Sequence, residues 1–277
     1  MAVSLSLWME IVNPSVETRL GRIKYTLIDF DGTISVIRQG WENVMASLMI
    51  EMICESKPPT PEIEAEVRAY IDYSTGILTI RQMEWLAETV RRYGKEPKDP
   101  YEYKRIYNER MLAYIDNRIR GLMSGDIKPD DMMIMGARNF LEELYKRGVI
   151  MYLASGTDHE YVLKEASALK ITEYFRGGIY GALDHTEEHA KERIIERILN
   201  ENNLRGEELL VVGDGPVEIR SAKSRDAIAL GVASDEVKRC GLNPRKRKRL
   251  IDAGADIIIP DYIRYRELAA FLFNEKK

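Results

Sequence analysis

Two hydrophobic rhythms divide the chain. Between residues 23 and 30 a compact apolar run containing Tyr25, Leu27, Ile28 and Phe30 predicts a strand, and an Asp-Gly turn signal ends it. A long helical stretch follows. Residues 41–53, rich in Met, Leu and Ile, predict a helix that Pro58-Pro59-Thr60-Pro61 interrupts. Thr60 offers an N-cap and Pro61 a first helical position for a second helix. Thr79-Ile80-Arg81-Gln82 has the form of a capping box for a third, which runs toward Tyr93 and stops at Gly94. Asp99-Pro100 opens a fourth, toward Leu122. From about residue 130 short apolar runs alternate with amphipathic segments. Strands are expected at 149–154, 178–180, 209–212, 227–232 and 256–259. Helices are expected at 137–146, 160–169, 188–199, 216–224, 247–253 and 263–273. That alternation predicts an α/β fold, a doubly wound parallel sheet of Rossmann-like form. The expected domains are a core in two parts, residues 1–38 and 128–277, and an all-helical domain over 39–127 between them.

Residues 2–12 are fairly apolar but lack a basic start and a small-residue cleavage pattern, which predicts an extra strand or arm on the core. Composition adds exclusions. The 277 residues carry a net charge of −4, which gives no electrostatic case for nucleic acid as a partner. The 2 cysteines, Cys54 and Cys240, lie far apart, so a reduced cytoplasmic setting without disulfides is expected. No apolar run reaches the roughly 18 residues of a membrane span. A monomer or homodimer is expected.

The chemistry starts at the end of the first strand. Residues two apart on a strand point the same way, so Asp29 and Asp31 can face one crevice at the carboxyl edge of the sheet, where open α/β sheets bind ligands. Their repulsion favours a bound cation or a raised pKa on one of them. A metal-bound carboxylate can attack phosphorus while the other carries a proton. Gly32 lets the backbone approach an anion and offer its N–H. The plainer alternative is a strand followed by a turn.

Three further positions fall at strand ends or helix starts. Ser155, with Gly156 after it, ends a strand and can bind phosphate oxygens through its hydroxyl and the following N–H groups, or else Ser155, Thr157 or Asp158 caps a helix. Lys191 stands near a helix start, where the dipole disfavours a cation, unless it faces carboxylates and phosphate. Asp214, in Gly213-Asp214-Gly215, ends another strand and suits Mg²⁺ together with Asp29. Glu218, one turn into the next helix, can orient a metal-bound water or simply favour that helix terminus.

In this order the residues resemble the haloacid dehalogenase-like superfamily, specifically its phosphatases. Asp29-Phe30-Asp31-Gly32-Thr33 resembles the first motif, Ser155 the second, Lys191 the third, and Gly213-Asp214 with Glu218 the fourth. The helical segment falls where many members carry a cap. The resemblance implies that Asp29 attacks phosphorus to form an aspartyl-phosphate and that Asp31 protonates the leaving oxygen, then activates water. It implies that Ser155 and Lys191 hold phosphoryl oxygens, and that Asp29, Asp214 and the backbone carbonyl of Asp31 bind Mg²⁺. It departs from common members in Ile34-Ser35-Val36 after the first motif, in Glu192 after Lys191, and in Glu218 for the usual aspartate. The expected activity is hydrolysis of a small phosphorylated metabolite, a sugar phosphate being one candidate. The alternatives are a phosphomutase, a phosphonatase using a Schiff-base lysine, and a non-catalytic binding module.

Several side chains remain. Arg38, where the chain leaves the first motif, is a candidate for a second anionic group of the substrate or a hinge-surface arginine. Trp41 and Glu42 can line the pocket mouth, with Trp41 read first as core of the opening helix, and Tyr101, Tyr103 and Tyr107 read as packing and helix surface. Asp158 and His159 are candidates to reach substrate. His185 and His189 make no zinc site without clustered ligands. The run Arg245-Lys246-Arg247-Lys248-Arg249 reads as a solvated helix start rather than a polyanion site.

Overall fold

The computed structural model describes residues 8–182 and 190–275, with side chains in the helix that starts at Ala190 described from Arg193 onward. Seven strands form one sheet: β1 (Glu10–Ile11), β2 (Tyr25–Asp29), β3 (Ile150–Asp158), β4 (Gly178–Ala182), β5 (Leu209–Gly213), β6 (Ile228–Val232) and β7 (Ile257–Ile259). Their order is β1-β7-β6-β5-β2-β3-β4, parallel throughout except for the antiparallel edge pair β1 and β7. The apolar N-terminal stretch thus supplies a short strand, and its first seven residues lie outside those described.

The chain goes from β2 outward to β3 and β4, then returns to place β5 on the other flank of β2. That reversal is a topological switch point, and a crevice forms beyond the carboxyl ends of the strands on either side of it. Up to their carboxyl ends the strands beside it are mostly apolar, with Thr26 of β2 a buried polar exception, as expected of a sheet covered on both faces. Successive residues serve opposite faces: Leu210 and Val212 join one hydrophobic cluster, Leu209 and Val211 the other.

Four helices stand between β2 and the second part of the core: α1 (Trp41–Cys54), α2 (Pro61–Tyr73), α3 (Thr79–Arg92) and α4 (Pro100–Ser124). Thr60 and Asp99 cap α2 and α4 ahead of a first-turn proline, as their residue types predict. The capping box expected at Thr79 does not form: α3 has no side-chain cap, and Gln82 Nε2 donates instead to Ser74 Oγ at 3.1 Å. The apolar stripes of these helices, including Met45, Met49, Val67, Leu86, Met111 and Ile115, are buried and continuous with the cluster under the sheet. No described helix is long and apolar enough to cross a membrane.

The remaining helices are α5 (Ala137–Lys146), α6 (His159–Ala168), α7 (Ala190–Glu201), α8 (Pro216–Lys223), α9 (Pro244–Asp252) and α10 (Tyr265–Leu272). Two departures from the expected boundaries matter. β3 runs on to Asp158, because beyond a register irregularity Asp158 pairs again with Ala182 of β4. α9 begins three residues early, because Asn243 caps it, accepting from the N–H groups of Arg245 and Lys246, with Pro244 at its first position.

Candidate active site

Asp29 is the last residue of β2 and Asp214 immediately follows β5. The two strands are hydrogen-bonded neighbours, with Ile28 opposite Val212, so pairing alone sets the two carboxylates side by side at the switch point. Glu218 joins them from the first turn of α8, its Oε1 accepting from the N–H of Gly215 at 2.8 Å. One carboxylate oxygen from each of Asp29, Asp214 and Glu218 lies within 4.8 Å of the others, and all three residues are buried. Thr33 Oγ1 donates to Asp29 Oδ2 at 3.0 Å.

This oxygen-only group passes the chemical test for a hard divalent cation, since packed buried carboxylates repel one another and Mg²⁺ takes carboxylate oxygens. The side chain of Asp31, in contrast, is not in the group. Glu218, expected to orient a water, supplies the third carboxylate.

Gly32 does a different job from the one expected. Its N–H donates to Ser35 O at 2.8 Å and closes the turn, so it is not offered to an anion. The residue must be glycine because its φ is +74° and a Cβ there would lie 2.5 Å from Asp214 Oδ2.

Asp31 faces the other flank. Ser155 Oγ and Thr157 Oγ1 both donate to its Oδ2, at 3.1 and 3.2 Å. Its Oδ1 is sealed from solvent and has no hydrogen-bond partner among the described residues. Burial pushes the Asp31 carboxyl above the ordinary carboxylate range, and it outweighs the opposing pull of the Arg38 charge and the two hydroxyls. No residue of the Ser155–Asp158 segment caps α6: Thr157 N–H donates to Ser155 Oγ at 3.1 Å, and Asp158 makes no cap bond. Thr157 was discernible only as a capping candidate, because its role depends on β3 continuing past Ser155.

Arg38 is neither a surface hinge nor an unengaged anion receptor. It is 5% exposed, and Nε and Nη2 grip Glu165 of α6 at 2.6 to 3.1 Å. Burial opposes its charge, but the Glu165 carboxylate holds the guanidinium pKa above its usual value. Asp29, Asp31, Ser155, Gly156, Thr157 and Asp214 line one cavity from the core side. Arg38, Trp41, Thr75, Ile77, Gln82 and Tyr107 close it from the other. Trp41, a candidate for the pocket mouth, and Tyr107, read as packing, both form its wall. The cavity measures about 70 Å³. That admits a phosphoryl-sized group, whereas sites for whole metabolites run to several hundred Å³.

Helices α2 to α4 and the loop between α2 and α3 are fastened over the site from two sides. Lys104 pairs with Asp158 at 2.5 Å, and Asn108 Nδ2 donates to Asp158 Oδ2 at 2.9 Å. Asp158 is thereby engaged by α4 rather than pointed at substrate, and His159 Nδ1 accepts from Gly181 N–H. Opposite, Arg249 Nη1 donates to Asp72 Oδ1 and Thr75 Oγ1, both at 2.9 Å, and its Nη2 donates to the backbone oxygen of Asp214 at 3.0 Å. Gly156 passes so close under the loop that a Cβ would lie 2.5 Å from Ile77 O.

The basic run is not a solvated helix start. Lys246 is buried, with Nζ 2.6 Å from Asp214 Oδ2 and 2.6 Å from Glu236 Oε1. Burial opposes the ammonium charge, but Asp214 and Glu236 outweigh it and raise the pKa. Arg247 pairs with Glu10 of β1, and only Lys248 makes a simple surface pair, with Asp252. Lys191 lies in the first turn of α7, and its side chain, like His185 and His189, lies outside the described residues.

The model of the haloacid dehalogenase-like hydrolases matches residues 23–225. No curated protein sequence matches the chain. Among solved structures, a β-phosphoglucomutase from Clostridium difficile superposes with a TM-score of 0.62 at 14% identity, covering 91% of this chain and 98% of that one. A predicted phosphoglycolate phosphatase from Haemophilus somnus gives 0.59 at 15% identity over 90% and 98%. A haloacid dehalogenase-like family protein from Streptococcus pneumoniae gives 0.58 at 19% identity over 90% and 98%. Identities this low establish a shared fold.

Proposed function

The chain belongs to the haloacid dehalogenase-like hydrolase family, and from its site we propose that it is a Mg²⁺-dependent phosphatase of small phosphorylated metabolites. One observation carries this reading. Two aspartates two residues apart are placed in opposite electrostatic settings, Asp29 within a carboxylate group fit for a cation and Asp31 in an enclosure that favours its neutral form.

Asp29 is then the nucleophile, and its attack on phosphorus gives an aspartyl-phosphate. Asp31, protonated at the start, gives its proton to the leaving oxygen and afterwards accepts one from the water that hydrolyses the intermediate. Ser155 and Thr157 hold the Asp31 carboxyl in place through its Oδ2. Asp29, Asp214 and Glu218, with the Asp31 backbone carbonyl, would hold Mg²⁺, which when bound supplies charge stabilisation for phosphoryl transfer. Lys191 is assigned to the phosphoryl oxygens on its motif alone.

Residues 39–127 act as a cap that excludes bulk water and selects the leaving group, and the small cavity beneath it supports a closed state that must open for substrate to enter. Likeness to a β-phosphoglucomutase motivates one second reading, a mutase that returns the phosphoryl group. Phosphate release from p-nitrophenyl phosphate and a metabolite panel with Mg²⁺ tests the proposal. Steady release that disappears in Asp29→Asn is expected. Transfer between sugar hydroxyls without net release would favour the mutase.

A further inference from the structure

A second cavity adjoins the catalytic one, and Thr75 belongs to the walls of both. It measures about 450 Å³ and lies on the seam where α1 and α2 face α9. Four cationic side chains line it: Arg68 from α2, and Arg245, Lys246 and Arg249 from α9. Lys246 is committed to Asp214 and Glu236, and Arg249 to Asp72 and Thr75. The guanidinium groups of Arg68 and Arg245 have no ion pair or hydrogen bond with any described residue. The acidic lining consists of Glu42 and the already paired Asp72, so the cavity keeps a positive surplus. Asn243 turns its Oδ1 to the start of α9, which leaves its amide N–H groups as donors beside Arg245.

We propose that this seam cavity is a second oxyanion site, which takes a phosphate or carboxylate group between Arg68 and Arg245. Guanidinium forks bind such groups in bidentate fashion. The two arginines come from opposite sides of the seam, so a bound oxyanion ties α2 to α9 within the cavity that Thr75 also lines. The size contrast points the same way, since the space beside the carboxylates is about 70 Å³ while about 450 Å³ lies next door. The oxyanion is either the distal charge of the substrate or a separate small ion. The first case rests on the phosphatase reading; the second does not.

Two assays on the full chain separate these sources, each comparing wild type with the Arg68→Gln/Arg245→Gln double variant. Both side chains are exposed, so the variant is expected to fold, as circular dichroism and its melting temperature will show. In the first assay inorganic sulfate is titrated into the metal-free protein by calorimetry. Wild type is expected to show one more sulfate site than the variant. In the second, hydrolysis of p-nitrophenyl phosphate is compared with that of 3-phosphoglycerate and fructose 1,6-bisphosphate. If the substrate supplies the oxyanion, KM for the doubly anionic esters rises about tenfold or more in the variant while p-nitrophenyl phosphate constants change less than about twofold. If a separate ion fills the site, only the sulfate stoichiometry changes. Equal sulfate binding and equal KM values in the two proteins overturn the proposal, as does a loss shared equally by all the esters. Absence of turnover by wild type on every ester refutes the phosphatase reading and leaves the sulfate assay to decide this one.

Discussion

Lys246 Nζ lies 2.6 Å from Asp214 Oδ2, so a buried ammonium from α9 is bonded to a carboxylate of the candidate metal group. The same nitrogen reaches Glu236, and the three side chains are 9%, 8% and 10% exposed. Removing one partner of a buried ion pair leaves the other charge uncompensated, at a cost of about 3–5 kcal/mol. Lys246→Met should lower unfolding free energy in urea by that amount in metal-free buffer. Saturating Mg²⁺ should restore more stability to the variant than it adds to wild type, because the cation then meets carboxylates without an internal competitor. Equal Mg²⁺ stabilisation of both proteins would contradict this arrangement.

Asp31 makes a pH-dependent prediction. Its folded-state pKa is raised by burial, so its contribution to stability is complete below the unfolded-state pKa and is lost as pH rises through the folded-state value. Asn at this position has no proton to lose. In EDTA, Asp31→Asn should therefore gain stability relative to wild type as pH rises from acid through that raised value. Turnover should fall by about 10²–10⁴ because the proton carrier is gone. A stability difference that is flat with pH would show that the carboxyl is not held neutral.

Arg38 and Glu165 are both buried and hydrogen-bond to one another through Nε and Nη2 of the guanidinium. Glu165→Ala should cost about 3–5 kcal/mol, whereas the double variant Arg38→Met/Glu165→Met should recover most of that loss. Chemical denaturation of Arg38→Met, Glu165→Met and the double variant gives the coupling energy. Additive losses would mean that the two side chains do not act as a pair.

The parts of this site that were legible beforehand are those controlled by local geometry. Asp29, Asp31 and Asp214 stand at the ends of apolar strands, and strand ends are readable from the hydrophobic run and the glycine after it. The order of the strands places those ends together without any further information. The roles of long charged side chains were not legible, because their partners are chosen by tertiary packing. Lys246 looks no different in sequence from Lys248, yet one is buried against two carboxylates and the other lies on the surface. Arg38 is likewise explained only by Glu165, which is remote in the chain. Thr157 was hidden by the irregularity in β3, since a run ending at Ala154 gives no sign that pairing resumes at Asp158.

Gly156 offers a test of the closed state that leaves the reacting carboxylates intact. A Cβ on this residue would lie 2.5 Å from Ile77 O, a backbone atom of the α2–α3 loop that cannot swing aside as a side chain can. Gly156 itself has no positive φ, so alanine brings no backbone strain and its effect falls on the contact with the loop. Gly156→Ala should push the loop off the catalytic cavity. Because displacement by about 1 Å can cost about 10²-fold in rate, kcat/KM for p-nitrophenyl phosphate should drop by roughly that factor. The urea midpoint should stay near that of wild type, since the residue lines a cavity rather than the hydrophobic core. Faster amide exchange confined to the α2–α3 loop and the start of α3 would locate the change at the seam. Wild-type kinetics with wild-type exchange would mean that turnover does not require this loop to rest on Gly156.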